Sequence, residues 1–447
     1  MINEISLENF KSWKKIEKMR FAPITGLFGT NSSGKTSILQ WLLLQKQTVE
    51  SSDRGLLIDL GDDNSLVEFG SINDVVHRNA LTRADQFGWS ISWKMIDPTL
   101  ARPLDSSPYS FTTTLKADKS PELLSFRYRS NQLNATWDRV GQNHTKLNVS
   151  DGDKQLLDAD MEGDYDFRET AKYYGFPDGY RSGPLIGDVL SNFERQYERL
   201  FSSIRYLGPL RDYPKRIYQS GRARPSDVGP RGQKVVDALI ASRLDTERRI
   251  DLGDNRRWLE VETARWLREL RLVENFRLSF SGPNDEFVQV LLQKTSTSSE
   301  VSITDLGFGI SQILPVIVLC YYVPKGSIII FEQPEIHLHP SAQAGLADVF
   351  IDAMQTRGIQ IILESHSEHL MRRLQRRIAE EKISKDDVAL YFCEYEKDQS
   401  HLKELDIDPY GNIKNWPKNF FGDLMEEVSE MTIAAMERLI RQEEAGH

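Results

Sequence analysis

A chain of 447 residues with 39% hydrophobic and 27% charged side chains has a globular composition, with room for about two to three domain-sized units or for one α/β domain carrying insertions. No apolar run approaches the roughly 20 residues needed to span a bilayer, and the longest, Ile313 to Val323, suits a buried core helix. The formal charge of −10 argues against a protein-wide electrostatic footprint for nucleic acid and leaves only a local basic patch open.

In chain order, the N-terminus from Met1 to Phe10 carries acidic residues and no long apolar segment, unlike a secretory signal or transit peptide, which places the protein in the cytosol. Gly29-Thr30-Asn31-Ser32-Ser33-Gly34-Lys35-Thr36 is an intact G-x-x-x-x-G-K-T phosphate-binding loop between the apolar stretch Ile24 to Phe28 and the helix-like run Ser37 to Gln45. That context predicts binding of a nucleoside triphosphate. The glycines let the backbone wrap the phosphates, Asn31, Ser32, Ser33 and Gly34 form the cradle, and the helix starting near Ser37 turns its positive end to the anion. Lys35 then reaches the terminal phosphates and Thr36 ligates Mg²⁺.

Between about Val76 and Gln155, Trp89, Ile91 and Trp93 alternate with polar residues, as do Phe111 to Leu115 and Phe126 to Arg129, which predicts short antiparallel strands. Asp151 to Gly183 is polar and predicts a loop. Helical periodicity returns at Leu185 to Leu200, Val235 to Leu244 and Trp258 to Leu272, interrupted by the Gly/Pro/Arg-rich stretch Leu207 to Gly232. Phe276 to Phe280 and Phe287 to Leu292 flank a turn and predict a hairpin. After Thr304 helices and strands alternate through Val388 to Cys393, which predicts a mainly parallel sheet with helices on its faces. The two cysteines, Cys320 and Cys393, sit in apolar segments without metal-ligand spacing and read as buried free thiols.

The strand Ile328 to Phe331 runs into Glu332-Gln333-Pro334-Glu335, the form of a Walker B strand that brings acidic groups to magnesium and the attacking water at the carboxyl edge of the sheet. A second buried strand ends in Glu364-Ser365-His366-Ser367, which puts His366 where a γ-phosphate would lie. Asp305 to Gln312 sets Gly307, Gly309, Ser311 and Gln312 at a helix start, a place that grips a phosphate, including one on another subunit. Taken alone, that segment reads rather as a turn before a helix.

This set and order resembles the ATP-binding-cassette ATPases, in the branch that holds the repair and structural-maintenance proteins and the overcoming-lysogenization-defect ATPases. The resemblance rests on Ile5 to Ser12, Asn31 to Thr36 and Pro334 to Pro340, with a weaker match at Tyr206-Leu207-Gly208-Pro209-Leu210-Arg211. Asp408 to Asn412, Asn415 to Pro417 and Phe420-Phe421 look like a C-terminal domain found on some bacterial ATPases of this type. It implies an α/β fold: an ABC-type P-loop ATPase core of mainly parallel sheet plus an antiparallel β subdomain, with a large mixed α/β insertion. Residues 1–75 and 300–395 would form the split core, 76–299 the antiparallel subdomain and helical insertion, and 396–447 a C-terminal segment. It also implies a homodimer or higher homo-oligomer, with ATP and Mg²⁺ held between Lys35, Thr36 and Glu332 of one protomer and the Gly307 to Gln312 segment of another.

One position departs from that pattern. Where these ATPases usually carry a glutamate before the proline, this chain has Gln333, whose amide orients water but cannot take its proton. Slow or absent hydrolysis follows, unless Glu335 substitutes as base or Gln333 is an engineered trapping substitution. The resemblance further implies a switch in a bacterial anti-phage defence complex, controlling a nuclease or other effector on a separate chain, in the manner of Septu. Asp406-Ile407-Asp408 has metal-site spacing but no room for a nuclease fold around it, and reads as a solvated turn. The alternative is a DNA-binding ATPase of repair or chromosome handling. It draws on Arg205, Arg211, Lys215, Arg216, Arg222, Arg224 and Arg231 in one loop region, and on Arg372, Arg373, Arg376 and Arg377 along one helix, the latter read as a solvated face.

Overall fold

The computed structural model describes residues 1–78, 85–94, 108–118, 120–141, 144–162, 172–180, 184–221, 224–244, 250–252, 255–257, 259–417, 429–436 and 438. Arg222, Trp258, Phe420 and Phe421 lie outside the described residues, as does part of the expected 151–183 loop. The chain opens with the hairpin β1 (Ile2–Phe10) and β2 (Trp13–Arg20), then β3 (Ile24–Gly29) and α1 (Lys35–Glu50). An antiparallel run follows: β4 (Gln86–Trp93), β5 (Tyr109–Lys116), β6 (Glu122–Ser130), β7 (Leu133–Gly141), β8 (His144–Asp151) and β9 (Lys154–Glu162). Next come α2 (Pro184–Ser202), β10 (Ile204–Leu207), β11 (Tyr218–Gln219), α3 (Val235–Leu244), the pair β12 (Ile250–Leu252) and β13 (Asn255–Arg257), α4 (Leu259–Glu269), β14 (Asn275–Ser281), β15 (Phe287–Gln293) and β16 (Val301–Ser302). The last stretch alternates: α5 (Phe308–Tyr322), β17 (Ile328–Glu332), α6 (Pro340–Arg357), β18 (Gln360–Glu364), α7 (Glu368–Ala379), β19 (Val388–Glu396) and β20 (Gln399–Glu404).

Two sheets organise the molecule. The six-stranded sheet runs β10-β17-β18-β3-β19-β20, parallel through its first five strands, with β20 antiparallel at the edge. The eight-stranded sheet runs β2-β1-β4-β5-β6-β7-β8-β9 and is antiparallel throughout. The architecture is α/β, with the mainly parallel sheet and the antiparallel layer that the resemblance implies.

Alternation along β17 shows why its apolar run must be a central strand. Ile329 and Phe331 enter one core with residues of α5 and α6, whereas Ile328 and Ile330 enter a second core with residues of α1 and α2. Both faces are covered, so an unbroken apolar run is what the position requires. α1 is apolar on nearly all sides for a similar reason. Ile38, Leu39 and Leu42 share the second core with Leu27 and Ile362 of the parallel sheet, and Trp41 meets Trp89 of the antiparallel sheet edge-on at 6.2 Å. The antiparallel layer is sealed by aromatic rings: Trp93 stacks on Tyr109 at 5.6 Å and Tyr128 on Phe193 of α2 at 5.2 Å.

Several elements differ from expectation. Lys154–Glu162, expected as loop, is strand β9: Leu157, Ala159 and Met161 pack on the core, while Asp158 and Asp160 between them face solvent. The alternating acids give the segment a loop-like composition while the apolar residues keep period two. β10, from the middle of the chain, supplies the edge strand of the parallel sheet next to β17. β1 and β2 belong to the antiparallel sheet, so only β3 of the early strands enters the parallel one. Both cysteines are buried and free. Among the described residues, no helix is long and apolar enough to cross a membrane.

Candidate nucleotide-binding site

Parallel pairing brings the carboxyl ends of β3, β17 and β18 to one edge, where Glu332 stands beside Glu364 in register and Glu364 beside Leu27. The loop after β3 needs its glycines. Gly29 has φ 136, and a Cβ there would lie 2.0 Å from the Cys393 carbonyl oxygen on β19. Gly34, at φ 92, caps α1 and sits against the hydroxyls of Ser400 and Ser12, 2.5 and 2.8 Å from where its Cβ would be. The Trp13 indole donates to the Gly34 carbonyl at 3.1 Å, and the Ser400 hydroxyl donates to that of Ser12 at 2.7 Å, so the β1–β2 turn and β20 buttress the loop. Gly29→Ala is expected to cost about 3 kcal/mol through positive φ and overpacking together. Gly307→Ala, with φ −57 and no atom within 4 Å of its added Cβ, should leave the urea midpoint unchanged.

An open cleft of about 710 Å³ lies over this loop. Asn31, Ser32, Ser33, Gly34, Lys35, Thr36 and Ser37 line one side with Gln333, Glu364 and His366, and Lys11, Asn73, Asp74 and Arg78 line the other. The first turn of α1 contains no acidic residue, so its positive end is left for an anion. Lys35 is 3% exposed and folds back on its own loop, donating to the carbonyls of Gly29 at 3.1 Å and Thr30 at 2.7 Å. Burial holds its ammonium below the ordinary value, against the pull of Glu364 at 3.9 Å. The buried Ser33 hydroxyl has no protein partner. His366 is also held below its ordinary value, by burial first and then by Lys35, which favours a neutral imidazole.

The acidic edge is arranged differently from the sequence expectation. The carboxylate that meets Thr36 is Glu364, whose Oε2 accepts from the Thr36 hydroxyl at 2.7 Å. Glu332 does not line the cleft and instead accepts from the Tyr206 hydroxyl at 3.0 Å. Burial, and next the neighbouring Glu364 charge, push the Glu332 carboxyl up to about 7, with Tyr206 opposing. Burial likewise raises Glu364, with Thr36 and Lys35 opposing. Gln333 reaches the cleft from a left-handed backbone position, φ 44, with its N–H on the Glu364 carbonyl at 2.9 Å.

Glu335, the substitute base weighed above, is placed outside the cleft. It is 6% exposed, and its Oε1 accepts from the Ser365 hydroxyl at 2.7 Å and the His366 N–H at 2.8 Å. It braces the turn after β17 against the turn after β18.

A family model described as "AAA domain, putative AbiEii toxin, Type IV TA system" matches residues 103–372, more than half of the chain. The chain belongs to this AAA family. A model described as "AAA ATPase domain" matches residues 1–90 of this AAA protein, and one described as "Protein of unknown function (DUF3696)" matches residues 383–431. No curated protein matches it. Among solved structures, the SmcHead bound to the C-winged helix domain of ScpA is 12% identical, with 91% of this chain and 98% of that chain covered and a TM-score of 0.46. The SMC head domain from Thermotoga maritima is 10% identical, covering 91% and 99%, with a TM-score of 0.42. The Smc head domain with an extended coiled coil, bound to the C-terminal domain of ScpA from Pyrococcus furiosus, is 12% identical, covering 91% and 96%, at 0.41.

Elsewhere in this AAA protein, the Gly307 to Gln312 segment is at the N-terminus of α5 and does not line the cleft. Gly307 is exposed, but Ser311 and Gln312 are 7% and 2% exposed. Gln312 is buried within its own chain, with its amide Nε2 lacking a hydrogen-bond partner. Gln45 and Gln47, on α1 behind the loop, do not line the cleft: Gln45 accepts from the Tyr173 hydroxyl, and Gln47 donates to the Asp59 carbonyl at 2.9 Å.

The basic clusters are largely spent within the molecule. Arg373 and Arg377 pair with Asp348, Arg376 with Glu380 and Arg372 with Glu368. In the loop region, Arg205 pairs with Asp227, Arg216 with Asp305 and Arg231 with Asp212. Asp408 accepts the N–H groups of Tyr410 and Asn412 at 2.9 Å each, a turn rather than a metal ligand.

Proposed function

We propose that this AAA protein is an ATP-gated switch in which the Lys35–Thr36 cleft holds Mg²⁺-ATP and the exposed Gly307 end of α5 on a second copy closes over it. The observation that carries this reading is the cleft itself: loop, Lys35, Thr36, Glu364, Gln333 and His366 converge on one space, and the Gly307 segment stands outside it. Magnesium suits the donors. Two buried carboxylates on adjacent strands, Glu332 and Glu364, have their charged forms disfavoured by burial, and the Thr36 hydroxyl stands against one of them. Thr36 and Glu364 would hold the ion, with Glu332 behind them, and Mg²⁺ would supply neutralisation of the β- and γ-phosphate charge.

The test is light scattering with and without Mg²⁺-ATP. The wild-type chain is expected to dimerise on nucleotide, and Lys35→Ala to lose both nucleotide and dimer. Gly307→Glu, at an exposed site with open space, should still bind ATP but lose the dimer, because a carboxylate there faces the partner's phosphates. A Gly307→Glu protein that dimerises like wild type would end the sandwich reading.

The finer reading is that closure controls an effector, such as a nuclease, on a separate chain of an anti-phage defence complex. It is motivated by the resemblance of the sequence; the printed family description names a putative toxin of a type IV toxin–antitoxin system and no nuclease partner. Co-purification of proteins encoded beside this one should depend on ATP and fail with Lys35→Ala; association indifferent to nucleotide would refute it. Pairing of the arginines within the chain leaves the DNA-binding alternative with less to draw on.

A further inference from the structure

One motif remains unused by the cleft. Tyr206-Leu207-Gly208-Pro209-Leu210-Arg211 comes from the middle of the chain, yet β10 pairs in parallel with β17, Tyr206 opposite Ile330 and Leu207 opposite Phe331. The motif therefore emerges beside the end of the Walker B strand, on the side away from the phosphate-binding loop. From there two polar groups turn back onto the Glu332–Gln333 turn. The Tyr206 hydroxyl donates to Glu332 Oε1 at 3.0 Å. The Arg211 Nη2 approaches the carbonyls of Glu332 at 3.5 Å and Gln333 at 3.4 Å.

Arg211 is 5% exposed, and its Nε and Nη1 have no protein partner. A buried guanidinium with two nitrogens that lack a hydrogen-bond partner is costly even with the Glu335 charge nearby, so hydrophobic packing alone is a poor reason for its presence. Local geometry is shaped around the pair. A Cβ at Gly208 would lie 2.9 Å from the Tyr206 hydroxyl oxygen, so only glycine leaves that hydroxyl its place. The loop beyond is anchored, with the Gly208 N–H on the Pro230 carbonyl at 2.8 Å and the Asp212 N–H on the Arg231 carbonyl at 2.9 Å. The turn it grips is strained in turn, Gln333 being held at φ 44 without being glycine or asparagine.

We infer that Tyr206 and Arg211 are positioning residues of the nucleotide site: Tyr206 fixes the Glu332 carboxylate behind Glu364, and Arg211 holds the two carbonyls that keep Gln333 in its left-handed conformation. Neither touches the nucleotide. The inference rests on the ATP-binding reading and adds that the middle segment is part of the site's machinery.

The experiment uses the full chain and a fluorescent ATP analogue, titrated once with Mg²⁺ and once in EDTA, alongside thermal melts. Tyr206→Phe, which removes one oxygen and keeps the packing, should lower the Mg²⁺-dependent gain in affinity by about 10-fold while leaving the EDTA affinity and the melting temperature near wild type. Arg211→Lys keeps the charge but loses the planar fork, and should lower the same ratio. If both conservative variants keep the wild-type Mg²⁺-to-EDTA ratio, or if they lower it only in proportion to lost stability, the positioning role is overturned. A wild-type chain that binds the analogue no better than Lys35→Ala would overturn the ATP reading and this inference with it. That outcome is separate, because it appears before any Tyr206 or Arg211 variant is compared.

Discussion

Replacing Gln333 with glutamate is expected to raise steady-state ATP hydrolysis by at least about 100-fold, the lower end of what a positioned general base contributes. Position 333 already has the required place. Its side chain lines the cleft and its backbone is fixed on the Glu364 carbonyl at 2.9 Å, so the substitution changes chemistry with little change in shape. An amide accepts a hydrogen bond from water but cannot carry away a proton. Glu335, the neighbouring carboxylate, lies outside the cleft, with its Oε1 accepting from Ser365 and the His366 N–H. Glu364 is in the cleft but engaged with Thr36 and Lys35 at the loop. Phosphate release measured for wild type, Gln333→Glu and the Lys35→Ala, Gln333→Glu double variant decides the matter. A wild-type chain that turns over as fast as Gln333→Glu would mean that Glu364 or another group already serves as base.

Glu364→Gln is expected to lower affinity for Mg²⁺-ATP by up to about 100-fold while changing affinity for metal-free ATP little or in the opposite direction. The substitution is isosteric and removes only charge. Glu364 is the carboxylate in contact with the Thr36 hydroxyl, and it is 3.9 Å from the Lys35 ammonium. Losing a negative charge beside the phosphates favours free ATP, whereas losing a metal-side carboxylate penalises the magnesium complex, so the two titrations should move apart. Calorimetric titration with each form of the nucleotide reads the difference. Equal loss in both would assign Glu364 to loop stability instead.

Where the sequence was legible, local chemistry determined local shape. The phosphate-binding loop declares itself because a left-handed Gly34 and a Gly29 pressed on β19 leave no other residue type at those places. The strands β17 and β18 were legible because burial on both faces demands unbroken apolar runs. What stayed hidden depends on pairing across the chain. Glu364 was in view, next to His366, but only the parallel register of β18 with β3 and β17 brings it to Thr36. Tyr206 and Arg211 belonged to a stretch read as an insertion until β10 joined the sheet. The role of Ser400 against Gly34 needs β20, a strand whose six residues carry no clear alternation. Glu335 shows the converse case: proximity in sequence suggested a base, and a proline between it and Gln333 turned it into a brace.

The placement of β3 also sets the order in which this chain can fold. The antiparallel sheet pairs strands from within residues 2–162, so it can close as soon as that stretch is free. β3 is made early too, yet its two neighbours are Gln360–Glu364 and Val388–Glu396, and even Ile2 waits for the Gln360 side chain to accept its N–H. At ~5–20 residues per second of synthesis, the roughly 330 residues between the end of β3 and the start of β18 leave the nucleotide-loop strand without partners for about 17–66 s. During that interval Ile24, Leu27 and Phe28, all fully buried in the finished protein, are exposed beside open strand edges. A chain released before residue 360 thus leaves an apolar strand without either of its partners.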